Sequence, residues 1–347
     1  MVRVALITGV TGQDGSYLAE LLLMKGYTVY GVIRRHSSIQ TEGLDHIFDR
    51  LNLIYGDMTD QTSLFNAFHT IVSREAKAME RLEVYNLAAQ SHVNVSFDMP
   101  EYTSQADAIG VLRLLEVIQQ QDDDVRAKIR FFQASTSELY GEVAETPQNE
   151  TTPFKPRNPY AVAKQYGYSM VNVYRDAYGM YACNGILFNH TSPRRGEAFV
   201  ERKISIGVAK LMTGKAVEPM KLGNLDTARD MGHARDYVEG MWLMLQQERG
   251  GDYVLATGDV MTVRQMVELA FSVYGKTVTW TGNGTNENGY CDDRLVVVVD
   301  PKYYRPSEMG VLRGDARKAR REIGWMPRCG MEDTLRELFE YDKATHQ

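Results

Sequence analysis

Cysteine is scarce in this chain: Cys183, Cys291 and Cys329 are the only three in 347 residues. They stand far apart, without a C-x-x-C pair or a histidine at metal-ligand spacing, which argues against a disulfide framework and against a zinc site. Reduced, structural thiols and no metal are expected. Long apolar runs are missing too, since none approaches the ~18 residues that a membrane-spanning helix requires. No membrane partner is expected. The opening "MVRVALITG" enters a strand pattern at once, without the longer apolar core and small-residue cleavage site of a secretion signal, so a cytoplasmic location is expected. Nor is there a basic excess: 39 Lys and Arg stand against 45 Asp and Glu, a net charge of −6. Nucleic acid is offered no general attraction and is not an expected partner. The densest basic cluster, "RKARRE" from Arg317 to Glu322, reads as a solvated helix face. Repeats and low-complexity tracts are absent.

What is present is enough apolar residue, 44%, to bury a large core. Short β-branched or aromatic runs alternate with longer helical patterns over the first 190 or so residues. Strands are predicted at Val2–Thr8, Thr28–Ile33, Asn52–Tyr55, Val84–Leu87, Ile129–Ala134 and Cys183–Leu187. Apolar residues recur at helical spacing over Ser16–Met24, Ser63–Ala76, Asp107–Gln120 and Ala161–Tyr178. This alternation predicts an α/β protein built on a doubly wound, mainly parallel sheet. Beyond Asn189, arginine, proline and glycine punctuate shorter elements. Helices are predicted at His233–Gln247 and Val263–Tyr274, strands at Tyr253–Thr257 and Leu295–Val299, and a closing helix pair around "GWMP". The expected division is a dinucleotide-binding domain of residues 1–188 plus about 232–258, and a smaller, discontinuous substrate domain of about 189–231 plus 259–347 at the sheet's carboxyl edge.

"ITGVTGQDG" sets Gly9, Gly12 and Gly15 in G-x-x-G-x-x-G spacing between the first strand and the first helix. Glycines there permit a tight turn and a close approach of backbone N–H groups to a pyrophosphate at the positive helix end. The loop as a whole, with Thr11, Gln13 and Asp14, is the expected cofactor cradle. The second strand ends in "VIRRHSS", where an NAD-preferring enzyme would usually place an acidic residue for the ribose 2′-hydroxyl. Arg34 can instead pair with a 2′-phosphate, so NADP is favoured. Asp57 and Met58, after the third strand, lie where an adenine ring would rest.

"PYAVAK" puts Tyr160 and Lys164 four residues apart on one helix face. A phenol is a poor base at neutral pH, and a neighbouring ammonium is expected to lower its pKa by stabilising the phenolate. Tyr160 could then take a hydroxyl proton while a hydride leaves the same carbon. Directly behind the fifth strand, "QASTSELYG" carries Glu138, a carboxylate that a simple redox enzyme would not need. It is either a helix-capping or salt-bridging residue or a second base at the sheet's carboxyl edge, where ligands bind in such folds.

These motifs, with "NLAAQSHV", "NGILFNHTSPRRG" and "NLDTARDMGHARDYVEGMWLML", resemble those of the GDP-mannose 4,6-dehydratases, a nucleotide-sugar group of the extended short-chain dehydrogenase/reductase family. The likeness runs from Val4 to about Pro327. It implies that a hydride first moves from C4 of the mannosyl unit to NADP⁺, with Tyr160 as base and Thr136 hydrogen-bonded to the 4-oxygen. Glu138 then removes the acidified C5 proton, water departs from C6, and the hydride returns to C6. Residue by residue, the resemblance implies that Leu87, Gln90, Tyr102, His190 and Arg195 line the cofactor and that Ser91 and Asn189 meet the substrate. For the GDP diphosphate, charge logic and resemblance agree on Lys203, Arg229 and Arg305. Glu308 could accept hydrogen bonds from guanine or ribose.

Met231 departs from the family pattern, which commonly has tryptophan there. "RRHSS", Arg34 to Ser38, resembles the loop that in this family reaches a neighbouring subunit's cofactor, so a homo-oligomer is expected, a tetramer in preference to a dimer. Other nucleotide-sugar enzymes of the fold, a 4-epimerase, another dehydratase or a 4-keto reductase, are the rival readings. A secondary reduction of its own product stays open. A silent NADP-binding regulator is disfavoured, because Tyr160, Lys164 and Glu138 are all retained.

Overall fold

The computed structural model describes residues 1–35, 41–303 and 310–346. Its largest sheet has seven strands, all pairs parallel: β1 (Val2–Thr8), β2 (Thr28–Ile33), β3 (Asn52–Tyr55), β4 (Met79–Asn86), β5 (Ile129–Thr136), β6 (Ala182–Leu187) and β10 (Asp252–Leu255), in the spatial order β10-β6-β5-β4-β1-β2-β3. Strand order reverses between β1 and β4, which opens a crevice at the carboxyl ends of those two strands.

Burial explains why these strands read as apolar runs. Val4 and Leu6 of β1 pack on one side with Leu64, Phe68, Leu114, Leu115 and Val171. Ala5 and Ile7 pack on the other with Leu18, Leu22, Val238 and Met241. Both faces of the sheet are covered by helices, as a parallel sheet requires. The helix Pro159–Tyr178 shows how local chemistry sets its bounds: Asn158 caps the start, Pro159 needs no hydrogen-bonded N–H there, and Gly179 ends it at φ 66°.

Two smaller sheets follow. One joins β7 (Asn189–Thr191), β9 (Ala228–His233) and β11 (Val260–Thr262); the other joins β8 (Met220–Leu222), β12 (Thr279–Thr281), β13 (Asn288–Cys291) and β14 (Arg294–Val299). Helices Val200–Met212, Val263–Ser272 and Met331–Thr345 share their core, through Ile204, Val267, Phe271 and Leu335.

β4 begins at Met79, five residues ahead of the predicted Val84, because Glu83 is fully buried and accepts hydrogen bonds from the hydroxyls of Tyr27 (3.0 Å) and Tyr85 (2.7 Å). The helix predicted from Asp107 is the end of a longer path: a helix at Pro100–Ser104 passes through a π-turn, Gln105–Ile109, into Gly110–Gln119. Such bulges cluster at functional sites. Among the described residues no helix is long and apolar enough to cross a membrane.

Candidate active site

A cleft of about 1750 Å³ opens over the carboxyl ends of the seven strands and is bounded on its far side by the smaller sheets. The glycine loop forms one end. Gly9 has φ 70°, and a Cβ there would lie 3.0 Å from the backbone of Ala88. A Cβ on Gly15 would lie 2.2 Å from the carbonyl oxygen of Gly9, so only glycine lets the helix Gln13–Met24 start this close to β1. Gly12 has no side chain to cap that helix, leaving its first N–H groups for an anion. The loop is braced from β7: Asp14 Oδ2 lies 2.8 Å from His190 Nε2, and the Ser192 hydroxyl donates to Gln13 Oε1 at 2.9 Å. Burial raises the Asp14 pKa, but the His190 contact and the Gln13 amide outweigh it, and the net direction is down.

Along the wall, Asp57, Met58, Leu87, Gln90 and Tyr102 all reach the cleft. The Arg34 guanidinium is exposed at the end of β2 and donates to the Tyr102 hydroxyl at 2.7 Å. Thr11 lines the same stretch. An uncapped helix end and a glycine cradle that a Cβ would fill fit the pyrophosphate of a dinucleotide, with the Arg34 guanidinium at the flank. The rest of "RRHSS", from His36 on, lies outside the described residues.

The catalytic candidates converge at the centre. Thr136 ends β5, and its Oγ1 accepts the backbone N–H of Glu138 at 3.2 Å. The Glu138 carboxylate in turn accepts from Asn158 Nδ2 at 3.0 Å. Lys164 is buried and its Nζ donates to the Ala134 carbonyl at 3.0 Å. Sequence reasoning expected Lys164 to lower the Tyr160 pKa. The phenol is instead raised: burial is the largest cause, the Asp107 charge adds to it, and a hydrogen bond with Thr136 opposes it. Burial also pushes the Lys164 ammonium down, against the attraction of Asp107. In the protein alone, then, the lysine is engaged with Ala134 and Asp107, and desolvation dominates the phenol.

Asp107, buried behind the cleft wall, was passed over by sequence reading. It sits on the π-turn, 1% exposed, with Oδ1 accepting the Gln90 backbone N–H at 2.8 Å and Oδ2 lacking a hydrogen-bond partner. Burial pushes its carboxyl up to about 6, partly offset by Lys164. Asn158 was likewise unremarked. Its position ahead of a proline and a helix pattern was the available signal.

Toward the smaller sheets, Ser91, Asn189, Lys203 and Arg229 line the cleft. Lys203 Nζ donates to the Lys221 carbonyl at 2.7 Å and lies 4.1 Å from the Tyr303 ring centroid; burial lowers its pKa against the pull of Asp300. Arg195 also reaches the cleft and pairs with the buried Glu201 at 2.7 Å. Arg305 and Glu308 lie outside the described residues. Met231 is buried opposite Asn189 in the β7–β9 register, in the core of the smaller sheets.

Residues 6–338 match the model of the family described as GDP-mannose 4,6 dehydratase. The chain belongs to that family. Curated GDP-mannose 4,6-dehydratases share about half of its residues: that of Sinorhizobium fredii is 53% identical over 99% of both chains, and the human protein is 50% identical over 98% of this chain and 91% of its own length. A solved UDP-glucose 4-epimerase from Thermotoga maritima, with UDP-glucose, superposes at a TM-score of 0.79 over 99% of this chain and 100% of its own, at 24% identity. At that identity it speaks for the fold alone. As a GDP-mannose 4,6-dehydratase family member the chain keeps, in one cleft, every residue that sequence reading assigned to the site and that the structure describes.

Proposed function

We propose that this protein converts GDP-D-mannose to GDP-4-dehydro-6-deoxy-D-mannose and water, with NADP as a cofactor left unchanged by each turnover. One observation carries the reading beyond the family: two proton-transfer candidates, Tyr160 and Glu138, flank Thr136 in the cleft that also holds the dinucleotide cradle. A plain 4-epimerase needs the first base and has no use for the second.

A nicotinamide dinucleotide, when bound, supplies hydride acceptance and return. The side chains do the rest. Tyr160 takes the C4 hydroxyl proton while Thr136 orients the 4-oxygen. Burial and the Asp107 charge raise its pKa in the protein alone, so positive charge brought beside the phenol would favour this proton transfer. Once C4 is a ketone, the C5 proton is acidic, and Glu138 removes it as the C6 hydroxyl leaves as water. Lys203, Arg229 and Arg305 hold the diphosphate, and Glu308 accepts from guanine or ribose.

NADP, in preference to NAD, rests on Arg34 and the absence of an acid beside it. Arg34→Ala is expected to weaken NADP⁺ binding by about tenfold or more and NAD⁺ binding much less, by calorimetry. A tetramer, built through the Arg34 to Ser38 loop, and a cytoplasmic role in deoxyhexose formation complete the proposal. Light scattering of the purified protein tests the first.

The function is tested by incubating the protein and NADP⁺ with GDP-mannose, UDP-glucose and dTDP-glucose and weighing the products. Loss of one water from GDP-mannose alone is expected. Glu138→Gln should still bind cofactor, while water loss slows by roughly 10²–10⁴-fold. Unchanged turnover in that variant would remove Glu138 from the mechanism.

A further inference from the structure

Asn158 is 7% exposed, and both halves of its amide are in use. Oδ1 accepts the Ala161 backbone N–H at 2.8 Å, capping the helix that carries Tyr160 and Lys164. Nδ2 donates to Glu138 Oε2 at 3.0 Å. One rigid, planar group therefore ties the helix bearing the first base to the turn Ser137–Leu139 bearing the second. The only other hydrogen bond made by Glu138 among the described residues is from its own N–H to Thr136, so its carboxylate has a single protein anchor.

Capping alone does not explain this residue. Ser, Thr and Asp cap helices about as well as Asn, because all offer a short-armed oxygen. Asparagine alone in that set adds an N–H₂ donor on the same planar group, one atom farther out than a hydroxyl. Thus the helix needs an acceptor at position 158, and Glu138 needs a donor. We propose that Asn158 is a positioning residue for the elimination step, holding the Glu138 carboxylate in register with Tyr160 while leaving the oxidation at C4 to other groups. This rests on the function proposed above.

The two roles separate by substitution. Asn158→Ser keeps the cap and loses the reach to Glu138. Asn158→Asp keeps the cap and sets two carboxylates against each other. Holoenzyme, each variant and GDP-mannose are mixed in D₂O, and three quantities are read: the absorbance of reduced nicotinamide in a single turnover, deuterium uptake at C5 with water loss by mass spectrometry, and the melting midpoint. In Asn158→Ser the melting midpoint should stay within about 4 °C of wild type and the absorbance phase within about threefold, whereas C5 exchange and water loss slow by roughly 10- to 100-fold, the loss expected for a misplaced base. Asn158→Asp should be slower again at C5. Wild-type C5 exchange and water loss in both variants, or equal slowing of both phases, would overturn the proposal and leave Asn158 a helix cap. A wild-type protein that neither reduces cofactor nor loses water with GDP-mannose would overturn the proposed function, and this inference with it.

Discussion

Asp107 shows how one buried carboxyl acts on its neighbours. Its anionic form opposes ionisation of Tyr160 and favours the charged form of Lys164. With a folded pKa of about 6 against an ordinary 3.8, its contribution to stability is full below the unfolded value and is lost as pH rises through about 6. Infrared spectra of the unliganded protein should therefore show a protonated, buried carboxyl band at about pH 5 that vanishes by about pH 7.5 and is missing in Asp107→Asn. A band unchanged by the substitution would assign that proton elsewhere. Tyr160, Lys164 and the glycines were legible in the sequence because their spacing is itself the signal. Asp107 was not, since its partners Gln90 and Lys164 come from other elements and its helix pattern looked ordinary.

At the scale of elements, the tightest constraint is the turn from β1 into the helix Gln13–Met24. Gly15→Ala places a methyl group 2.2 Å from the Gly9 carbonyl oxygen, a contact that only backbone movement relieves. Such overpacking costs about 1–3 kcal/mol. We expect a lower melting midpoint and NADP⁺ affinity reduced by about tenfold or more, because the cradle N–H groups move with the backbone. Asp230 on β9 is a second such point: its carboxylate accepts from the N–H groups of Thr257, Gly258 and Gly314 and from the Thr257 hydroxyl, at 2.7–3.0 Å. Asp230→Asn turns one acceptor oxygen into a donor facing donors, and a loss of about 3 kcal/mol in denaturant unfolding is expected. Strands β1, β2 and β3 matched their predicted bounds: β1 and β2 because buried parallel strands are mostly apolar runs, and β3, a partly exposed edge strand, on the short apolar stretch of "NLIY". β7, β8, β9, β11, β12 and β13 were missed. Each is three to six residues long and carries polar residues in place of a continuous apolar run; β9, "ARDMGH", is polar because Asp230 serves neighbouring backbone.

For the molecule as a whole, alternating strand and helix patterns were enough to foresee a doubly wound sheet and to place the glycine loop, Glu138 and Tyr160 at its carboxyl edge. How the later segments would bound the cleft was not legible, because tertiary contacts such as those of Asp230 assemble the smaller sheets. The whole cleft serves one reaction: oxidation, elimination and reduction occur on one substrate without release. It is tested most directly with GDP-mannose deuterated at C4, NADP⁺ and the wild-type protein, followed by mass spectrometry and NMR of the product. Loss of one water is expected, with the deuterium recovered at C6. Deuterium retained at C4 or lost to solvent, or product that has not lost water, would contradict it.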